Sequence, residues 1–356
     1  EGSLRMAGGR GDPPGRRLAI DFQGGFSMPL DGYQRQINYL RISVIDRCNL
    51  RCTYCMPLHT ERFAPPAELL TPEEIGLVVE AAVDVGFRKF RITGGEPTLR
   101  RDILEIVRRI RRVEGVGEIA MTTNAILLPR LAGELSAAGL DRVNIHLDTL
   151  SETRLRQVMR LGELRRIWRG IEAAEEAGLT PLKLNTVVVR GINEADVVEL
   201  ATLTLEHDWY VRFVELMPLG SGESARYSRE HLVTSAEIHR RLEEGIGQLE
   251  AIPEQNPWDE SRNFRFAGAR GVIGFISPVS EPFCGSCNRM RLSADGKFHL
   301  CLLRDDERDV RGALRGGKGI DHVRRTLLRA VGAKPMGHDL ASGITTESRS
   351  MYQIGG

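Results

Sequence analysis

Six cysteines are the residues of this 356-residue chain best suited to chemistry, and they fall into two sets of three. The first is Cys48, Cys52 and Cys55; the second is Cys284, Cys287 and Cys301. An even count would fit disulfides, but a chain this long without an apolar leader has no need of that scaffold. Buried packing cysteines would be scattered. Close-set thiols point to metal or iron–sulfur ligation. Zinc asks for four ligands. His299 lies two residues before Cys301, on the same face of an extended strand, and would complete a zinc site with Cys284, Cys287 and Cys301. His59 would complete the first set. A four-iron cube held at three corners keeps one iron open to a small ligand, and two sets of three are more simply explained that way.

Cations form the second chemical signal. Buried parallel strands should read as almost continuous apolar runs. Here Arg41, Lys89, Arg91, Lys183 and Arg212 interrupt such runs. Of 49 basic residues only five are lysines, so Lys183 carries most weight. Arg289 and Arg291 share a face if extended. Some of these cations would reach solvent from strand starts. Aimed into a cavity, they suit a phosphate-rich anion held by side chains, since there is no glycine-rich phosphate loop.

The elements that must position these residues alternate. Strand patterns cover 38–45, 88–93, 117–122, 142–147, 182–189 and 210–216. Helical patterns cover 100–112, 129–138, 164–177 and 194–206, and Thr71-Pro72-Glu73-Glu74 is a helix start. Repeated strand–helix units imply a parallel sheet. Six units predict an α/β fold, a partial (β/α)6 TIM-type barrel, with a doubly wound sheet as the other choice. Chemistry then gathers beyond the carboxyl ends of the strands. Five deposits fall there: the first cysteines, Thr93-Gly94-Gly95-Glu96-Pro97, Thr122-Thr123-Asn124, His146-Leu147-Asp148 and Glu215-Leu216-Met217-Pro218.

After about residue 220 the pattern changes. Residues 220–224 read as a loop and 234–244 as a helix. Strands are predicted within 262–277 and 289–302, with Asp295-Gly296 as a hairpin turn. Residues 320–331 read as helical and the remainder as mostly loop. The expected organisation is a disordered tail over 1–27, the barrel over 28–235, and a C-terminal α+β cluster-binding extension over 236–356 that packs across the barrel opening. A net charge of +1 gives no electrostatic case for nucleic acid or an anionic membrane. No apolar run approaches a bilayer span.

Cys48-Asn49-Leu50-Arg51-Cys52-Thr53-Tyr54-Cys55, with Gly94-Gly95-Glu96-Pro97 beyond the next strand, resembles the radical S-adenosylmethionine enzymes. The stretches 41–57, 88–101, 144–150, 212–218 and 284–302 and the terminal Gly355-Gly356 extend that resemblance to the GTP 3′,8-cyclase family of molybdenum cofactor biosynthesis. The resemblance implies a [4Fe–4S] cluster on Cys48, Cys52 and Cys55 that cleaves S-adenosylmethionine to a 5′-deoxyadenosyl radical. It implies S-adenosylmethionine contacts at Tyr54, Gly95, His146 and Met217, with Glu96 accepting from the ammonium. A second [4Fe–4S] cluster on Cys284, Cys287 and Cys301 would face the guanine. GTP contacts map to Arg41, Arg91, Thr122, Lys183, Arg289, Met290 and Arg291, with Lys89 and Arg212 nearby. Arg289 and Arg291 count among the catalytic positions.

In that chemistry the radical takes hydrogen from C3′ of GTP, and C3′ attacks C8. The product is (8S)-3′,8-cyclo-7,8-dihydroguanosine 5′-triphosphate, made by a lyase. The implied partners are GTP, an electron donor such as flavodoxin or ferredoxin, the cyclic pyranopterin monophosphate synthase of the next step, and a second copy in a homodimer; the implied compartment is the cytoplasm. His146 stands where Ser is usual and Ala125 where Gly is usual. The alternatives are a radical peptide maturase with an auxiliary cluster, a zinc-stabilised binding module, or a degenerate paralogue.

Overall fold

The computed structural model describes residues 29–56, 63–220, 223–253, 258–340, 346 and 348–355. The expected tail over 1–27, His59 and Gly356 lie outside the described residues. Six parallel strands follow one another: β1 (Tyr39–Ser43), β2 (Lys89–Thr93), β3 (Glu118–Thr123), β4 (Arg142–His146), β5 (Lys183–Val188) and β6 (Tyr210–Glu215). Helices α1 (Pro72–Asp84), α2 (Ile103–Arg112), α3 (Leu128–Ala137), α4 (Glu152–Val158), α5 (Leu164–Glu176) and α6 (Val197–Glu206) form the crossovers. The start signal at Thr71 forms a full capping box: Thr71 Oγ1 accepts from Glu74 N at 3.2 Å, and Glu74 Oε2 accepts from Thr71 N at 2.8 Å.

The strands alternate, because each has an apolar helix-facing side and a polar cavity side. Leu40, Ile42, Phe90, Ile92, Ile119, Met121, Val143 and Ile145 join the helices in one buried core. Burying each such side chain stabilises the fold by roughly 1.5–3 kcal/mol. Arg41 pairs in register with Arg91, and both line the central cavity with Thr122 and Asn185. The inward cations therefore break the apolar runs without breaking the core.

The remaining elements are α7 (Glu223–Glu230), α8 (Ser235–Gly245), β7 (Leu249–Ala251), β8 (Arg262–Phe266), β9 (Val272–Ile276), β10 (Arg289–Leu292), β11 (Lys297–His299), β12 (Glu307–Asp309), α9 (Arg311–Arg315), α10 (Gly319–Gly332) and α11 (Met351–Ile354). The sheet has 12 strands in the order β12-β11-β10-β1-β2-β3-β4-β5-β6-β9-β8-β7. β9 runs parallel to β6, and β10 runs parallel to β1. The late strands thus continue both edges of the six-stranded sheet. Residues 277–288 lead from one edge strand to the other and carry Cys284 and Cys287. The expected loop at 220–224 is corrected in part, since α7 begins at Glu223. Among the described residues no helix is long and apolar enough to cross a membrane.

Candidate active site

Cys48, Cys52 and Cys55 lie on the loop after β1. That loop is pinned to the end of α4 by Thr53 N donating to Val158 O at 2.9 Å and Arg51 N to Met159 O at 3.2 Å. It is also crossed by the turn after β2. Gly95 N donates to Ile45 O at 2.6 Å, and Glu96 N to Arg47 O at 2.8 Å. A Cβ on Gly94 would stand 2.4 Å from Ile45 O, and one on Gly95 2.4 Å from Arg47 O, so only glycine permits this crossing.

Glu96 is 1% exposed. Its Oε1 accepts from Thr98 N (3.1 Å), Thr98 Oγ1 (2.5 Å) and Thr123 Oγ1 (2.7 Å), and its Oε2 from Asn124 N (2.7 Å). A carboxylate has about four acceptor sites. Oε1 is filled, whereas Oε2 takes a single donor and keeps a lone pair, so Glu96 ties the ends of β2 and β3 together while retaining acceptor capacity.

Tyr54 Oη donates to Asp148 Oδ2 at 2.6 Å, and His146 Nε2 lies 2.6 Å from Tyr54 Oη and 3.0 Å from Asp148 Oδ2. Burial opposes a charged imidazole, yet Asp148 and Cys52 raise His146 well above its ordinary value. Burial, then Glu96, lifts Cys48 to about 11; burial lifts Cys52 to about 11; burial, then Cys48 and Asp148, lifts Cys55 to about 12. Ala125 has φ 65°, the left-handed region that favours glycine. The helix α5 packs so close that a Cβ on Gly170 would meet Ala125 O at 2.1 Å.

The second triad shares a cavity with the cations. Cys284, Cys287, Cys301, Arg41, Arg91, Arg289, Met290, Arg291, Thr122 and Met217 all line it. Thr122 Oγ1 is buried without a hydrogen-bond partner. Burial would raise Cys287, but Arg289 and Lys334 bring it down to about 6. A hydrogen bond from His338 lowers Cys284, whereas burial raises Cys301. Arg35 holds the segment from outside, donating to Cys284 O (2.6 Å), Met336 O (2.7 Å) and Pro335 O (2.6 Å). His299, weighed as a zinc ligand, has its Nε2 2.5 Å from Glu307 Oε1.

Of the other predicted cations, Arg212 donates through Nε to Asn185 Oδ1 at 2.9 Å, and Lys183 Nζ sits 4.7 Å from the Tyr210 ring centre. Burial, then Arg212, lowers Lys183 to about 7. Lys89 starts β2, in register with Tyr39 and Glu118, and does not line the cavity. Gly355 reaches in from the C-terminus: its carbonyl accepts from Arg291 Nη1, and a Cβ there would stand 2.3 Å from Thr93 Cγ2.

Sequence reasoning missed Arg35, Glu260, Lys334 and His338. Lysine scarcity marked Lys334 as it marked Lys183. Glu260 carried no signal, yet its carboxylate meets four arginines. Arg41 Nη2 lies 3.0 Å from Oε1, Arg91 Nη1 and Arg212 Nη1 each 3.9 Å, and Arg289 Nη1 lies 3.1 Å from Oε2. Burial alone would raise Glu260; Arg289, Arg41, Arg91 and Arg212 hold it well below the carboxylate range.

All six cysteines are free thiols. Within each set the cysteines act on one another electrostatically, and among the described residues no three His, Cys, Asp or Glu side chains gather as one metal ion requires.

Comparison with known proteins defines the class. The Radical SAM superfamily model matches residues 42–204, and the Molybdenum Cofactor Synthesis C model matches 209–340. The crystal structure of Streptococcus suis SuiB bound to S-adenosylmethionine shares the fold, with a TM-score of 0.55 at 17% identity over 76% of this chain and 62% of that one. The fold is a partial TIM-type barrel of the radical S-adenosylmethionine class with a C-terminal extension.

A GTP 3′,8-cyclase of Pelotomaculum thermopropionicum is 44% identical over 92% of this chain and 99% of its own. One of Heliobacterium modesticaldum is 45% identical over 92% of this chain and 100% of its own. The chain belongs to the GTP 3′,8-cyclase family, radical S-adenosylmethionine lyases of the first step of molybdenum cofactor biosynthesis. Membership brings GTP as substrate and S-adenosylmethionine and a [4Fe–4S] cluster as cofactors.

Proposed function

We propose that Cys48, Cys52 and Cys55 hold the [4Fe–4S] cluster, and that Cys284, Cys287 and Cys301 hold a second one. When bound, the first cluster and S-adenosylmethionine supply a 5′-deoxyadenosyl radical. This chain's residues do the rest. Tyr54, His146 and Asp148 form a polar wall beside Cys52 that borders the cofactor, and Met217 lines the substrate cavity. Gly95 allows the close backbone crossing, and Glu96 fixes it.

Arg41, Arg91, Lys183, Arg212, Arg289 and Arg291 receive the triphosphate, with Lys89 a layer deeper on the inward face of β2. Thr122 Oγ1 and Met290 border the nucleoside. The observation that carries this reading is Arg41, Arg91, Arg289 and Arg291 beside three thiols in one cavity, with Arg212 joined to them through Glu260. Charge-assisted hydrogen bonds from guanidinium groups are the strong, orienting kind for phosphate. Holding C3′ and C8 in one reactive geometry is the protein's main contribution. The apolar lining from Val214, Ile276, Phe283 and Leu300 keeps water from the radical.

A low-potential donor such as flavodoxin or ferredoxin, a reducing compartment such as the cytoplasm, and hand-over to the cyclic pyranopterin monophosphate synthase belong to the same proposal. The test is anaerobic: iron- and sulfide-loaded protein, S-adenosylmethionine, dithionite and GTP, followed by mass spectrometry. The expected result is 5′-deoxyadenosine formed with loss of GTP to an isomer. Cleavage indifferent to GTP would overturn the assignment of the cavity.

A further inference from the structure

The cation array already contains an anion of its own. Glu260 lines the cavity, its side chain 8% exposed, and no counterpart role follows from the reaction. One carboxylate faces four guanidinium groups, those of Arg41, Arg91, Arg212 and Arg289. It cannot satisfy them. Arg41 Nε, Arg91 Nε and Arg212 Nη2 are buried without hydrogen-bond partners. A buried array left three charges short of neutrality is costly until a larger anion enters. The donor positions outnumber what two carboxylate oxygens accept, and they suit a polyphosphate.

We propose that Glu260 is a surrogate anion: it holds the arginines together in the free site and yields its place to the triphosphate. It is a positioning residue, acting on substrate through Arg41 and Arg289. The proposal rests on the assignment of the cavity to the triphosphate. The physical consequence is competition. The carboxylate repels and displaces incoming phosphate, so its removal should favour ligands in proportion to their charge.

The experiment is calorimetric titration of iron-loaded, anaerobic protein with inorganic triphosphate, then phosphate, then GTP. Glu260→Gln should tighten inorganic triphosphate by roughly tenfold or more, given the size of charge interactions at about 4 Å. It should change orthophosphate much less, and the KM for GTP should fall. Glu260→Asp, shorter by one methylene, should lie between Gln and the unaltered chain, and decides the matter if the Gln variant fails to fold. Unchanged or weaker triphosphate binding in whichever variant folds would overturn the proposal. Inorganic triphosphate needs neither guanine nor radical chemistry. Tighter triphosphate without GTP turnover would therefore keep this inference and sink the substrate assignment; GTP turnover without tightening would do the reverse.

Discussion

Carboxylates crowd the first cysteine triad and cations crowd the second. Glu96 and Asp148 raise the thiols of Cys48 and Cys55, after burial has already done so, while Arg51 and His146 only partly offset them. Arg289, Lys334 and His338 stand over Cys284 and Cys287 and lower both. The two triads are thus set in opposite fields, although burial still raises Cys301. An acid-lined pocket suits a sulfonium and an ammonium, whereas an arginine-lined one suits a polyphosphate. The difference teaches that the two ends of the cavity are specialised by their neighbours rather than by their cysteines.

Removing a cysteine of the first triad has the largest expected effect. Cys52→Ser should bring 5′-deoxyadenosine formation to background with the fold intact by circular dichroism; residual cleavage near normal would mean this triad does not hold the cleaving cluster. Next comes a direct reading of the two fields in metal-free protein. Cys287 sits at about 6, against an ordinary 9.0, so it is a thiolate at pH 7. Iodoacetamide with peptide mapping should label it at least about a hundredfold faster than Cys52 or Cys55, since the thiolate is the nucleophile. The sign follows: Cys287 contributes stability that is present above about pH 9 and lost as pH falls through about 6. Equal labelling across the six would erase the comparison.

The C-terminal strap gives a smaller effect. Gly355 has φ 76° and lies against Thr93, so a methyl group there clashes. Gly355→Ala should lower GTP turnover about tenfold, the scale of a barrier change near 1.4 kcal/mol, while leaving Tm unchanged. An undiminished rate would remove the strap from the site. The smallest effect is at Ala125. Relief of about 1–2 kcal/mol of left-handed strain is offset by the looser unfolded chain and a lost buried methyl group. Ala125→Gly should therefore shift stability by less than about 1 kcal/mol in denaturant unfolding. A larger gain would show that the first pocket stores strain.

Much of this was legible in the sequence because barrels write their interior with a period of two. Arg41, Arg91 and Arg212 stood out against apolar neighbours, and the strand-end deposits marked one mouth of the barrel. The positive φ at Ala125 agrees with the family resemblance, in which Gly is usual at that position. What was not legible is non-local. The placement of β9 and β10 on opposite edges depends on pairings between strands far apart in sequence, with no local signal. α4 and α7 are short, and tertiary packing and a Ser151 cap decide them rather than periodicity. Glu260 lies outside any regular strand, where an acidic residue reads as an ordinary solvated loop. The bonds from Thr98, Thr123 and Asn124 to Glu96 were not legible either, because a motif shows a residue's type but not its partners.

The most direct test of the specialisation is Cys287→Ser in the anaerobic assay, with 5′-deoxyadenosine and GTP-derived isomer measured in the same vial. The account predicts continued, uncoupled 5′-deoxyadenosine formation and no cyclised product. Cyclised product at the unaltered rate would contradict it, because the cation-lined triad would then have no part in handling GTP.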